Sequence, residues 1–142
     1  MNAQEELENI LIDEAKIEGK EEQLIRLESQ AMKMTAAMDG ETVSRSRNDD
    51  PLGTYMKQKE KLESEIAKLR EENERRKALL SGIIDGLRKP VYIKILYGHY
   101  FNGKSFKKLS NETVYSYRHL QNLKDDAVKA VQKMLDSGKI SI

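Results

Sequence analysis

The sequence predicts an all-α protein: a long antiparallel helical hairpin or coiled coil, followed by a small three-helix domain. Three observations predict it. Apolar residues recur at heptad spacing over two long stretches. Charged residues make up 35% of the chain, against roughly 25% in an average soluble domain, and the excess suits long solvent-exposed helices. The last third is cut by Gly, Pro, Asn and Ser into short amphipathic runs.

The first helix is expected over about 4–38. Ile10, Ile17, Leu24, Ala31 and Met38 recur every seven residues, and Leu7, Leu27 and Met34 fill the intervening positions. Glu14, Glu21 and Glu28 interrupt the second stripe, and Gly19 is a weak point. Residues 39–53 hold two Gly, one Pro and two Ser with little apolar content, which predicts a loop. Asp50 before Pro51 predicts a helix start, with an N-cap side chain followed by proline at the first helical position.

The second long helix is expected over about 51–88. Tyr55, Leu62, Ile66, Leu69, Leu80, Ile83 and Leu87 occupy its seam, with Lys59, Asn73 and Arg76 as polar exceptions. Near-equal lengths, each spanning ~50 Å, favour an antiparallel hairpin. Neither stripe is wide enough for a full core. A homo-oligomer is therefore expected, a dimer first, with Leu62, Ile66, Leu69, Asn73, Leu80 and Ile83 as its seam. A parallel coiled coil through the second helix is the alternative arrangement.

Gly82, Gly86 and Pro90 mark a boundary, so the expected domains are residues 1–88, with loop 39–53, and residues 89–142. In the second domain "PVYIKILYGHYF" forms the first helix, with Ile93, Leu96 and Tyr100 on one face. Asn102-Gly103 stops it, because both residues tolerate the left-handed conformation. Ser105 is placed to cap "FKKLSNE", and Ser116 to cap a last helix whose inward stripe is Leu120, Leu123, Ala127, Val131 and Met134. Tyr92 and Tyr97 read as boundary packing residues.

Composition excludes several classes. With no cysteine there is no disulfide, thiolate metal site or cysteine nucleophile, which fits a reducing cytoplasm. His99 and His119 are the only histidines, too few for a structural zinc site without carboxylates. No apolar run reaches the ~20 residues of a membrane span, and the acidic N-terminus is no signal peptide. Phosphate-binding, dinucleotide, zinc-protease and nucleophile-elbow motifs are all absent, so neither enzyme activity nor a cofactor is expected. The net charge of +1 hides a polarity: residues 1–38 carry 4 Lys/Arg against 9 Asp/Glu, and residues 90–142 carry 9 against 4. A basic C-terminal third suits a polyanion.

A short helix, a tight corner and a longer helix with a donor-rich start outline a helix-turn-helix. Double-stranded DNA is the expected partner. Tyr117, Arg118, His119, Gln121 and Asn122 are the candidate base readers: Arg118 suits guanine O6 and N7, and Gln121 and Asn122 suit adenine N6 and N7. Lys104, Ser105, Lys107, Lys108, Ser116 and Lys124 are the candidate phosphate contacts.

The stretch "ILYGHYFNGKSFKKLSNETVYSYRHLQNLKDDAVKAV" resembles region 4 of sigma factors, and more closely the RinA/ArpU-type transcription regulators of phages of Gram-positive hosts. The likeness rests on Tyr100, Gly103-Lys104-Ser105 and Tyr115-Ser116-Tyr117-Arg118-His119, with Asp50-Pro51-Leu52 ahead of a coiled-coil region. It covers the C-terminal third specifically and the remainder in architecture. Two positions depart from the pattern: Val114 stands where the corner usually has glycine or a small residue, which predicts an atypical corner, and Ser110 stands where alanine is usual. The resemblance implies a phage-encoded, sequence-specific regulator of late-gene transcription, an activator, working in the bacterial cytoplasm with host RNA polymerase as a further candidate partner. Two other readings stay open: a phage small terminase subunit recognising packaging-site DNA, and a helical adaptor that contacts RNA polymerase.

Overall fold

Heptad periodicity, capping serines and a proline-led helix all point to helices, and helices are what form. The computed structural model describes residues 1–38 and 51–138. Among these the chain is all-α: α1 spans Ala3–Met38, α2 Pro51–Asp85, α3 Pro90–Leu96, α4 Phe106–Glu112 and α5 Tyr117–Asp136. Between α3 and α4 the helix widens into a π-helical stretch, Tyr97–Phe101. The expected loop over 39–50, the Asp50 cap and the Met38 side chain lie outside what is described. None of the described helices is long and apolar enough to cross a membrane.

The chain divides into two compact units, one built from Met1–Glu14 and the residues from Glu72 onward, the other from Ala15–Glu71. A packing boundary at 88/89 is not what the core shows. Ala3, Leu7 and Ile10 of α1 and Leu80, Ile83 and Ile84 of α2 are buried in one cluster with Leu96, Tyr100, Ala127, Val128 and Val131. The three-helix segment cannot bury the long side of α5 by itself, and the ends of α1 and α2 complete its core. The N-terminus is also tied directly to α5. The Ala3 amide donates to Gln132 Oε1 at 2.7 Å, and Gln132 Nε2 donates to the Met1 carbonyl at 3.1 Å.

In this first unit the polar seam positions are used within the chain. Arg76 donates to Asp13 Oδ2 at 2.5 Å and to Glu6 Oε2 at 3.1 Å. Burial alone would lower the Arg76 pKa, but these hydrogen bonds outweigh it and raise it. Lys77 pairs with Glu14 at 2.6 Å, and the 1%-exposed Asn73 donates to the same carboxylate at 3.1 Å. In the second unit Lys20 pairs with Glu65 at 2.7 Å and Arg70 with Glu21 at 2.6 Å. Along α1 the paired positions advance from 6–14 to 20–21 while along α2 they fall from 76–77 to 65–70, so the two helices run antiparallel. Glu14 and Glu21, which break the apolar stripe in sequence, are the partners of these cations.

This corrects the expected oligomer seam. Ile66, Asn73, Leu80 and Ile83 are buried, and Leu62 and Leu69 half-buried, within a single chain. The heptad face of α2 packs against that of α1, and Leu62 and Leu69 keep part of their surface exposed. A parallel pairing through α2 would need the same residues.

Two boundaries also shift. α2 stops at Asp85, three residues short of the expected end, where the Gly86 and Leu87 amides turn back onto the carbonyls of Ile83 and Ile84. The helix expected over 90–101 widens at Tyr97, where the Asn102 amide reaches the Tyr97 carbonyl at 2.9 Å. The widened turn contains Gly98, and a Cβ there would stand only 3.0 Å from Leu109 Cδ2, so glycine lets α4 approach. Tyr97 does more than pack: its hydroxyl shares a 2.7 Å hydrogen bond with Ser81 Oγ and donates to Asp85 Oδ1 at 2.6 Å, joining the π turn to the end of α2.

Tyr100, 2% exposed, gives this core a pH signature. Burial pushes its phenol up to about 12, and Glu8 and Asp125 add to the shift. The folded state holds the neutral phenol, so the stability it contributes is fully present below the ordinary tyrosine value of about 10. That stability is lost as pH rises through about 12. Tyr100→Phe should keep the urea midpoint near neutral pH and flatten its decline over the alkaline range. An equal decline in both proteins would assign the loss to other groups, such as Tyr97, whose pKa burial also raises.

Candidate nucleic-acid interface

The site is built on α4, its corner and α5. Both serines cap as their positions predict. Ser105 Oγ accepts the Lys108 amide at 3.1 Å, and Ser116 Oγ accepts the His119 amide at 3.2 Å. Gly103 takes the left-handed conformation (φ +68°) that ends the preceding turn, while Asn102 stays right-handed. His99 then fixes the approach to α4. Its Nδ1 is 2.8 Å from the Lys104 carbonyl, and its ring stacks on Phe106 with centroids 4.3 Å apart.

The corner turns without glycine. No described residue other than glycine has positive φ, so Val114 fits at ordinary backbone angles. Side-chain hydroxyls hold the turn. Thr113 Oγ1 donates to the Leu109 carbonyl at 2.8 Å and accepts the Tyr115 amide at 3.3 Å, and Ser110 Oγ donates to the Tyr115 carbonyl at 2.9 Å. The hydroxyl at 110, where alanine would be usual, is thus part of the turn. Sequence alone assigns no role to Thr113 and marks Ser110 only as a departure from alanine. The available signal was the tendency of Ser and Thr to bond nearby backbone in turns.

Packing is carried by a second core cluster of Ile95, Leu109 and Leu120, with Val91, Phe106, Tyr115 and Leu123 against it. Ala127, Val128 and Val131 continue the buried stripe of α5. The candidate base readers lie off that stripe. Arg118 and Asn122 are exposed and four residues apart, one above the other, and Tyr117 and Gln121 form the adjacent row. Tyr117 is 51% exposed, and its ring meets Phe106 edge-on at 6.1 Å. Arg118, Gln121 and Asn122 make no side-chain hydrogen bond with a described residue. His119 is exposed as well, with its ring 5.2 Å from Tyr115.

The candidate phosphate contacts divide. Lys107 and Lys108 are exposed on α4 and form no ion pair with a described residue. Lys104 is held by Glu112 at 2.8 Å, and this hydrogen bond lowers the Glu112 pKa. Lys124 pairs with Asp125 at 2.8 Å, and its side chain is only 17% exposed. Ser105 and Ser116 spend their hydroxyls on the helix caps, although each can still accept from or donate to a further group. The arrangement offers a planar guanidinium, two amides and a phenol on one helix face, beside two free ammonium groups. Comparison with protein-family models, with curated proteins and with solved structures finds no match to this chain.

Proposed function

We propose that this chain is a sequence-specific DNA-binding transcription regulator. In this reading α5 lies in the major groove and α4 against the backbone, and the chain serves as a phage-encoded activator of late genes of the RinA/ArpU type that its sequence resembles. The observation that carries the reading is the division of labour on α5. Leu120, Leu123, Ala127, Val128 and Val131 carry the packing of α5, while Arg118 and Asn122 are left exposed, with the half-exposed Tyr117, against Phe106, and the half-buried Gln121 beside them. Those four side chains supply the donors and acceptors that distinguish base pairs in the major groove. Lys107 and Lys108 supply the charge that a phosphate backbone rewards.

Selection of bound duplexes from a random DNA pool tests it. A single preferred site should emerge, and its affinity should fall linearly with salt on logarithmic axes. Replacing Lys107 and Lys108 together by alanine should reduce that slope by about 2 while leaving the preferred sequence unchanged. No affinity for any duplex at low salt would overturn the reading.

A further inference from the structure

The second unit consists of two helices, and two helices bury little. Its described apolar residues with less than a tenth of their surface exposed are Ile17, Ala31 and Ile66, while Leu24, Leu27, Leu62 and Leu69 remain half-buried on the seam. Four more large apolar side chains are exposed outright: Ile25 at 67%, Met32 at 74%, Leu52 at 56% and Met56 at 48%.

Their placement follows from helix geometry and one ion pair. On α1, Ile25 lies four residues beyond Glu21 and Met32 seven beyond Ile25. On α2, Met56 lies fourteen residues before Arg70, with Leu52 one turn earlier. Glu21 and Arg70 are bonded to each other across the hairpin at 2.6 Å. The two stripes therefore share one side of the unit. The antiparallel register brings Met32 about level with Met56, since the pairs 20–65 and 21–70 place 32 opposite about 56. The opposite side is different in character: a groove of about 610 Å³ lined mostly by Gln, Lys and Arg, with Leu27 and Leu62 among its lining residues.

We propose that this face, Ile25 and Met32 on α1 with Leu52 and Met56 on α2, is the surface on which a second copy of the chain packs. The two hairpins then form a four-helix bundle. A second copy is the occupant that matches the deficit. Two helices carrying an incomplete seam and one apolar flank need two more helices of the same kind, and a two-fold axis through the flank supplies them from the same residues. The four side chains hold on the order of 500 Å² of surface, the size of the largest patch a typical monomer exposes. Doubled across two chains, that reaches the lower bound of a specific interface before any rim is counted. Unbranched methionines at its centre adapt to their own symmetry mates. The inference goes beyond the DNA reading and does not rest on it.

Sedimentation of the full-length protein without DNA tests the proposal. The wild-type chain should sediment as a dimer. Met32→Glu with Met56→Glu should weaken self-association ~100-fold or more, because each dimer would bury four unpaired carboxylates. Both side chains are largely exposed in the single chain, so the circular dichroism spectrum should not change. Ile25→Gln, a neutral change, should weaken association in the same direction. Because the chain has no cysteine, Met56→Cys should cross-link two copies through a bis-maleimide, and Gln23→Cys on the opposite side should not. A wild-type monomer at every concentration overturns the proposal. So does an oligomer that both glutamates leave intact, or cross-linking that is equal at the two positions. None of these outcomes bears on DNA affinity, which the duplex selection measures separately.

Discussion

Leu7→Asp is expected to unfold the unit that carries α4 and α5, although residue 7 is far from both in sequence. Leu7 is fully buried and shares a cluster with Leu80, Ile84, Leu96 and Val131. Removing its side chain would cost ~2–5 kcal/mol in lost transfer energy and cavity. Burying a carboxylate among aliphatic groups adds several more kcal/mol, and together these approach the ~5–15 kcal/mol that holds an ordinary domain folded. The measurement is circular dichroism with a urea titration, followed by a binding assay on the selected duplex. Helix content and DNA affinity should fall together. A fragment covering residues 89–142 should fail to fold for the same reason, since it lacks Leu7, Ile10, Leu80 and Ile84. A fragment that folds and binds DNA with undiminished affinity would show that the shared core is dispensable.

Arg118→Ala is expected to weaken binding to the selected site by ~1–3 kcal/mol, roughly ten- to hundredfold, with no change in the urea midpoint. The separation of the two readouts is the point. Arg118 is exposed and makes no described ion pair, so truncating it removes nothing that holds α5 in place. Leu120, two residues on, is fully buried between Ile95 and Leu109, and Leu120→Asp should abolish fold and binding at once. The affinity lost at Arg118 should be concentrated on sites with guanine at one position, and loss of preference there should accompany it. Equal destabilisation by both substitutions would remove Arg118 from the groove. A uniform loss across all duplexes would make it a phosphate contact instead.

Much of the candidate interface was legible in the sequence because its signals are local. Ser105 and Ser116 sit where a hydroxyl must replace an absent helical acceptor, and both do so. Gly103 ends a helical turn with the φ that only glycine adopts cheaply. The inward stripe of α5 follows a 3–4 spacing, so the outward residues follow by subtraction. The glycine-free corner needed hydroxyl bonds to the Leu109 and Tyr115 carbonyls and from the Tyr115 amide, whose positions depend on the α4–α5 packing.

The sequence by itself determined the all-α class, the two long helices, the caps and the polar face of α5, because each depends on residues within one or two turns of one another. Tertiary structure decided what those helices are packed against. A heptad stripe states only that a helix has an apolar face, and it names no partner. Glu6, Asp13 and the stripe-breakers Glu14 and Glu21 pair with Arg76, Lys77 and Arg70 inside the chain, so that α1 and α2 pack on each other. The same packing drew Ala3, Leu7 and Ile10 into the core of the C-terminal helices. Such contacts join residues 49 or more positions apart. Their energy comes from burying complementary surface, which no local pattern along the chain records.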